Sequence, residues 1–397
     1  MVLAKVSDPA HPERTAAGVK GISLFIVPKR RVNEDGTLGE LNDISLGGLN
    51  KKMGWRGATN CVLNYGENNK CVGELMGAEG KGLAVMFNMM NEARISVGLI
   101  AAALGYNGYA HSLNYARERK QGRPLDNKDP TAPQVPIVTH ADVKRMLLVQ
   151  KAYVEGALSL CLYASFLVDR SHFAADQSGK VADDAVLLDL LTPIVKSWPS
   201  EWCLEANKWA IQIHGGYGYE RSYPVEQTYR DNRLNMIHEG TNGIQSLDLL
   251  GRKMKTKGPQ ILKERVEADI ASAMQTDDKA LQQRAHKLKE ALDRTMQVAD
   301  FLVGKSSALS SSVALANSHE FLNMSGHTVI AWMWLRQETS AVRALGNSPS
   351  EEDKRFYEGK RLASQFFFQH ELPKTEVQAR LLTSADDTVL TMRDDLF

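Results

Sequence analysis

The stretch Ala210-Ile211-Gln212-Ile213-His214-Gly215-Gly216-Tyr217-Gly218-Tyr219 is followed by Tyr229-Arg230-Asp231 and by Ile237-His238-Glu239-Gly240-Thr241. It joins the end of one helix to the start of another through a knot of glycines. It then presents a lone carboxylate in an apolar setting, with a glycine and a hydroxyl directly after it. A Glu held away from bulk water between Ile237-His238 and Gly240 suits removal of a weakly acidic carbon-bound proton, because burial brings a carboxylate pKa toward working pH. The competing reading of Glu239 is a surface residue near a helix start, favoured there by the helix dipole.

Working outward, the residues before this stretch read as helices and, earlier still, as strands. Residues 1 to about 75 are strand-like: 21–28 is a short apolar run closed by Pro28, 33–36 (Asn-Glu-Asp-Gly) is a turn, and 60–65 alternates. From Leu83 to about Arg119 the apolar spacing is helical, with Ala101, Ala102, Ala103, Gly105 and Gly108 small enough for close helix packing. A polar, proline-bearing loop covers 122–136. Further helices are expected from Asp142 to about Ala175 and from Asp183 to Ile213, the second kinked or broken at Pro193 and Pro199. Pro224 opens a short helix, and another follows Thr241 to about Met254. After a linker at 255–259 come helical patterns at about 259–304, 309–346 and 351–371.

Bulk properties exclude several classes. The 397 residues suffice for two or three domains, 43% are hydrophobic and 24% charged, and the net charge of +1 gives no electrostatic case for nucleic acid. No apolar run reaches the length needed to span a bilayer, and the N-terminus has no signal-type pattern. Cys61, Cys71, Cys161 and Cys203 form no CxxC pair, so free thiols in a reducing cytoplasm are expected, with no disulfide framework and no metal site.

Gln212-x-x-Gly-Gly-x-Gly, Tyr229-Arg230-Asp231 and Glu239-Gly240-Thr241, in this order and spacing, resemble the acyl-CoA dehydrogenase family. The resemblance implies a mainly α chain in three parts. These are a truncated β segment (1–77), a four-helix-bundle C-terminal domain (78–256) and an additional helical domain (257–397). The last is similar to that of the long members, the branch including 3-methylmercaptopropionyl-CoA dehydrogenase. Met1 aligns within the family's β domain, so the chain looks like a fragment of a longer protein.

The implied activity is FAD-dependent α,β-desaturation of acyl-CoA thioesters. The alternatives are a 3-methylmercaptopropionyl-CoA substrate, or a non-catalytic helical scaffold that binds no flavin. The resemblance makes Glu239 the base and puts Gly240 at the reacting carbons. Thr241, with Asn242 and Gly243, meets the flavin, though Thr241 also reads as a helix N-cap. Gln212, Gly215 and Gly216 fall where the family meets the adenine end of the flavin across a subunit boundary, or form a Gly-rich helix end. Arg119 matches an arginine on the neighbouring subunit's flavin pyrophosphate, or is a solvated cation; the family's following Thr-Phe-Gly is here Lys120-Gln121-Gly122. His140 stands where the family has a His-Gln pair facing flavin, or beside a helix N-cap. Arg94 matches a CoA-contacting arginine, or is a buried ion-pair partner. Arg230 and Asp231 read as an ion pair positioning the Glu239 loop. Trp332, Trp334 and Phe366 to Phe368 read as core. The implied partners are acyl-CoA, an electron-transfer flavoprotein and further copies of the chain.

Overall fold

A computed structural model describes the chain except residues 9, 13–17, 128 and 174–178, and leaves out the side chains of 87–89, 91, 172–173 and 179–180. The C-terminal limit expected for the second long helix, Ala175, lies outside the described residues. Two compact units are present, Met1–Ala93 and Arg94–Phe397.

In the first unit, strands β1 (Val2–Lys5), β2 (Ile22–Ile26) and β7 (Glu74–Met76) form an antiparallel sheet in the order β1-β2-β7. Strands β3 (Arg30–Val32) and β4 (Leu38–Leu41) pair around the 33–36 turn, and β5 (Ile44–Leu49) pairs with β6 (Cys61–Tyr65). The run expected to be a buried strand is half so: Ser23 and Leu24 are buried, whereas Ile26 is exposed. The chain leaves the sheet through Gly80, whose N–H donates to Ser23 Oγ at 2.9 Å.

The second unit is helical. Three long helices, α1 (Gly82–Glu118, which begins in the first unit), α2 (Ala141–Phe173) and α3 (Gly179–His214), precede the glycine segment. They are followed by α4 (Val225–Asn232), α5 (Asn242–Gly251), α6 (Gly258–Met274), α7 (Lys279–Val303), α8 (Ser311–Ala316), α9 (Ser318–Leu345) and α10 (Glu351–Phe366). One π turn (Phe367–Glu371) leads to α11 (Lys374–Thr383), and α12 (Thr388–Thr391) lies near the C-terminus.

Small residues bring α1 against its neighbours. A Cβ on Gly105 would lie 2.8 Å from both Cys203 Cβ and Val154 Cγ1, and Ala101 and Ala102 are fully buried. Ala103 points out.

Two expectations need correction. Pro193 and Pro199 do not break α3, which runs unbroken through both. The reason is tertiary: Ile194, Val195 and Trp198 sit in the core, which holds the segment helical against the local cost of a proline. Pro199 has no N–H for the carbonyl of Val195, and Gly98 of α1 approaches that oxygen so closely that a Cβ would lie 2.1 Å from it. Second, the 259–304 pattern is two helices. Asp278 accepts from Leu281 N–H at 2.9 Å and caps the start of α7, which separates it from α6.

One hydrophobic cluster extends from Ile95 and Ala102 of α1 through α2, α3 and α5 into α6, α7, α9 and Phe366 to Phe368. Trp332 and Trp334 belong to it, as expected. Helix α2 is, over Ala141–Ser171, long and apolar enough to cross a membrane by length and composition, contrary to the expectation of no such run. Half of an 18-residue apolar window within it is buried in the unit.

Candidate active site

The sequence-predicted residues gather at two places. The first is the end of α3 and the loop after α1. Arg119, His140, Gln212, Gly215 and Gly216 line one open groove of about 740 Å³, together with Tyr115, His214 and Tyr217. The carbonyl of Arg119 accepts from Ile137 N–H at 2.8 Å, and Gln121 N–H donates to Val135 O at 3.0 Å, so the two ends of the polar loop are tied together. His140 Nε2 lies 2.8 Å from Gln121 O and donates to it, which fixes the ring at the groove wall. Beyond His214 the helix tightens into a 3-10 turn, Gly215–Tyr219. Gly215 has φ +62°, the left-handed region that glycine enters freely, and a Cβ on Gly215 or Gly216 would meet nothing within 4 Å. The glycines thus leave open space above the backbone.

His214 is buried, its Nδ1 bonds Ala210 O at 2.8 Å, and its ring stacks on Tyr115 with centroids 4.4 Å apart. Burial lowers its pKa, so the stacked ring is held neutral. The exposed guanidinium of Arg119 stands 5.9 Å from the Tyr217 ring centroid.

The second place is the turn before α5. Thr241 is its N-cap, accepting from Ile244 N–H at 3.4 Å. Glu239 has φ +54° and Gly240 φ +89°, so two successive residues are left-handed and only the second is glycine. A non-glycine residue there costs roughly 1–2 kcal/mol. Gln245, fully buried, donates from Nε2 to the carbonyls of Glu239 (3.2 Å) and Gly240 (3.4 Å) and clamps the turn.

The expectation that Glu239 is shielded from water is not met within this chain: its side chain is exposed. The left-handed backbone throws it outward from the turn, and the shielding residues lie under the turn rather than over it. Asn242 is buried, whereas Gly243 is exposed.

Arg94 is buried and its Nη1 lies 3.4 Å from Asp248 Oδ2 of α5, which is the ion-pair reading. Arg230 pairs through Nε (2.6 Å) and Nη2 (2.9 Å) with Glu226 one helical turn back, while Asp231 accepts from Gln227 at 3.5 Å. The guanidinium of Arg230 is thus held by Glu226 within α4, with the Asp231 charge also acting on it.

Beneath this turn lies a polar network that the sequence did not reveal. Asn207 of α3, Asn232 of α4 and Asn235 are all fully buried. Asn232 Nδ2 donates to Asn207 Oδ1 (2.7 Å), Asn235 Nδ2 to Asn232 Oδ1 (2.9 Å), and His238 Nε2 bonds Asn235 Oδ1 (3.1 Å). Lys196 of α3 is also fully buried; its Nζ donates to Asn242 Oδ1 at 3.3 Å, and Asn242 Nδ2 donates to Glu201 at 3.1 Å. Burial, and then the nearby Arg94 charge, bring the Lys196 amine down to about 8, while Glu239 pulls it the other way. A single lysine inside the apolar run 190–198 was the available signal. Among the described residues no cluster of His, Cys, Asp and Glu could hold a metal ion, and the four cysteines are unpaired.

An exposed carboxylate on a strained turn, backed by a buried cation and a capped helix start, is chemistry for a proton acceptor at a ligand-facing surface. The groove is a separate surface that offers aromatic side chains and a guanidinium, and the two share no lining residue.

This architecture and these motifs belong to the acyl-CoA dehydrogenase family, of which the chain is a member. Residues 80–254 match the family described as "Acyl-CoA dehydrogenase, C-terminal domain", and residues 262–393 that described as "Acetyl-CoA dehydrogenase C-terminal like".

Among relatives, a broad-specificity linear acyl-CoA dehydrogenase of Mycobacterium tuberculosis is 34% identical over 98% of the chain. A 3-methylmercaptopropionyl-CoA dehydrogenase of Ruegeria pomeroyi is 33% identical over 98%. A butyryl-CoA dehydrogenase of Syntrophomonas wolfei is 32% identical over all of it. The chain spans 64% of the length of each of these relatives.

The fold is shared with an acyl-CoA dehydrogenase complexed with FAD from Bacillus anthracis (TM-score 0.68, 22% identity, 100% of this chain and 63% of that one). It is shared too with ACDH-11 of Caenorhabditis elegans in complex with C11-CoA (TM-score 0.71, 20% identity, 93% of this chain and 56% of that one).

Proposed function

We propose that the chain carries the base-bearing part of an FAD-dependent acyl-CoA dehydrogenase that desaturates acyl-CoA thioesters between Cα and Cβ. The observation that carries this reading is the left-handed Glu239-Gly240 pair with Thr241 capping α5. It presents an exposed carboxylate directly before a capped helix start. Relatives named for linear acyl-CoA, butyryl-CoA and 3-methylmercaptopropionyl-CoA support the thioester class.

The residues fit a flavin dinucleotide. The groove offers stacking surface at Tyr115 and Tyr217, open space above Gly215 and Gly216, and a guanidinium for phosphate oxygens. The second fit is at Thr241, whose hydroxyl stands at the start of a helix where an electron-rich ring oxygen is favoured. Bound FAD supplies the acceptor for the hydrogen leaving Cβ. Glu239 takes the α-proton on its carboxylate. Gly240 admits the Gln245 clamp, since a Cβ there would lie 2.5 Å from Gln245 Nε2, and the bound ligands keep water from the carboxylate, which the chain itself leaves open.

The groove and the Glu239 turn are lined by different residues, so a flavin seated on the turn of one copy would have its dinucleotide end held by the groove of another. The family resemblance supports this sharing between copies, so the reading includes a homodimer or larger assembly, with an electron-transfer flavoprotein as acceptor. The domain division proposed is a β part to residue 77, a catalytic helical part to 256 and a further helical part to the end.

The test is rapid anaerobic mixing of flavin-loaded protein with butyryl-CoA, read as loss of flavin absorbance. Glu239→Gln should keep its flavin and bleach slower by roughly a hundredfold to ten-thousandfold, as for loss of a general base. Bleaching at the unsubstituted rate, or a colourless protein after reconstitution with FAD, would sink the proposal.

A further inference from the structure

We propose that Lys196 is a positioning residue for the Glu239 carboxylate: from a fully buried place in α3 its ammonium holds the first turn of α5 through Asn242 and supplies the counter-charge beneath the carboxylate turn. This rests on Glu239 being the proton acceptor.

A buried ammonium is expensive unless it is paired. Among the described residues the Lys196 amine makes one hydrogen bond, to the neutral amide oxygen of Asn242. A core needing only volume at this position would hold Leu or Met.

The charged groups facing it come from every side. Arg94 of α1, itself held by Asp248 of α5, is a like charge, and the exposed Glu239 is the opposite one. Glu201, on α3, reaches it only through Asn242. His238 sits on the same turn; burial and then Lys196 lower its pKa, so it adds no competing charge at neutral pH. Asn242 is the first residue of α5, directly after the Thr241 cap, so its side chain ties the buried amine to the segment that begins at Glu239. The asparagine chain through Asn207, Asn232 and Asn235 holds the other end of the turn at His238. Glu239 is therefore fixed between two buried anchors, only one of which carries charge.

Two measurements test this. The first is the pH profile of flavin bleaching by butyryl-CoA in the flavin-loaded protein. Loss of the ammonium proton should slow the unsubstituted protein as pH rises through about 8, the range in which Lys196 titrates. Lys196→Arg should move that fall to higher pH, because a guanidinium stays charged. Lys196→Met should bleach slowly at every pH, with full flavin content and no step near 8. A Met variant with the unsubstituted profile, or an Arg variant with the fall unmoved, overturns the proposal.

The second measurement needs no turnover: titration of ε-carbon-labelled lysine by NMR, with the Lys196 signal assigned by its loss in Lys196→Met. Glu239→Gln should lower the Lys196 titration midpoint further; an unmoved midpoint overturns the charge coupling. If instead Glu239→Gln still bleaches flavin normally while the Lys196 midpoint falls, the fault lies with the general-base reading and not with the coupling.

Discussion

Replacing Lys196 by Met should make this protein more stable near neutral pH and remove a pH dependence that few lysines show. The amine is fully buried, and its environment, burial first and Arg94 second, brings it from the ordinary 10.5 to about 8. That drop corresponds to about 3 kcal/mol of preference for the neutral form. The sign follows from linkage. Between pH 8 and 10.5 the unfolded chain keeps this proton and the folded chain sheds it, so stability rises with pH across that window. Below pH 8 both states are protonated and the folded state bears the full cost.

Lys196→Met keeps an unbranched side chain one atom shorter, removes the charge and loses the bond to Asn242, which is worth about 1 kcal/mol. The expected net gain is roughly 2 kcal/mol at pH 7, shrinking toward zero and then reversing as pH approaches 10.5. Urea unfolding of both proteins at pH 7 and pH 9.5, followed by far-UV circular dichroism, reads it directly. A variant less stable at pH 7, or a difference between the two proteins that is the same at both pH values, would refute the assignment of a costly buried ammonium.

The other two predictions concern the turn and the groove. Gly240→Ala places a Cβ at φ +89°, 2.5 Å from the buried Nε2 of Gln245, so it should destabilise by about 2–3 kcal/mol and displace Glu239; an unchanged melting temperature would contradict the clamp. Arg119→Ala should weaken FAD retention by about tenfold, as for loss of a charge-assisted phosphate contact, while leaving the fold intact; full flavin content after gel filtration would remove Arg119 from the site.

What could be read from the sequence was what local periodicity encodes. Helices α1 and α2 announce themselves by apolar spacing, and the 33–36 turn by its Asn and Gly. Helix α3 shows the limit. Its two prolines argue locally for a break, and the burial of Ile194, Val195 and Trp198 overrules them. The gap between α6 and α7 was written in Thr276-Asp277-Asp278, a cap signal hidden within a helix-favouring stretch rich in Gln, Lys and Ala. Strand pairing was not legible, because β2 pairs with β1 from one side and with the distant β7 from the other. The motif residues fell into two groups rather than one, which spacing along a chain does not convey. Lys196 and Asn207 stayed hidden for the same reason, since their partners Asn242 and Asn232 are 46 and 25 residues away.

The cost borne around residues 237–242 is itself an argument about function. Asp43, Trp55, Asn69, Ser348 and Ala385 also have positive φ, so the conformation alone does not single out Glu239. Glu239 takes that conformation beside a lysine with no solvent access and an arginine that is buried with Nε lacking a hydrogen-bond partner. A turn whose only task was to connect a 3-10 segment to α5 would place glycine or asparagine at 239 and an aliphatic residue at 196, gaining stability at both. Buried charge also occurs elsewhere in the unit, at Asp184, Glu338 and Glu371, but those carboxylates are ion-paired, whereas Lys196 is held by a neutral amide under one outward-facing carboxylate. Such departures from local consistency persist where the surrounding structure over-determines them, and they cluster at reactive sites. The polar base of this turn fits the proton-accepting role proposed for Glu239.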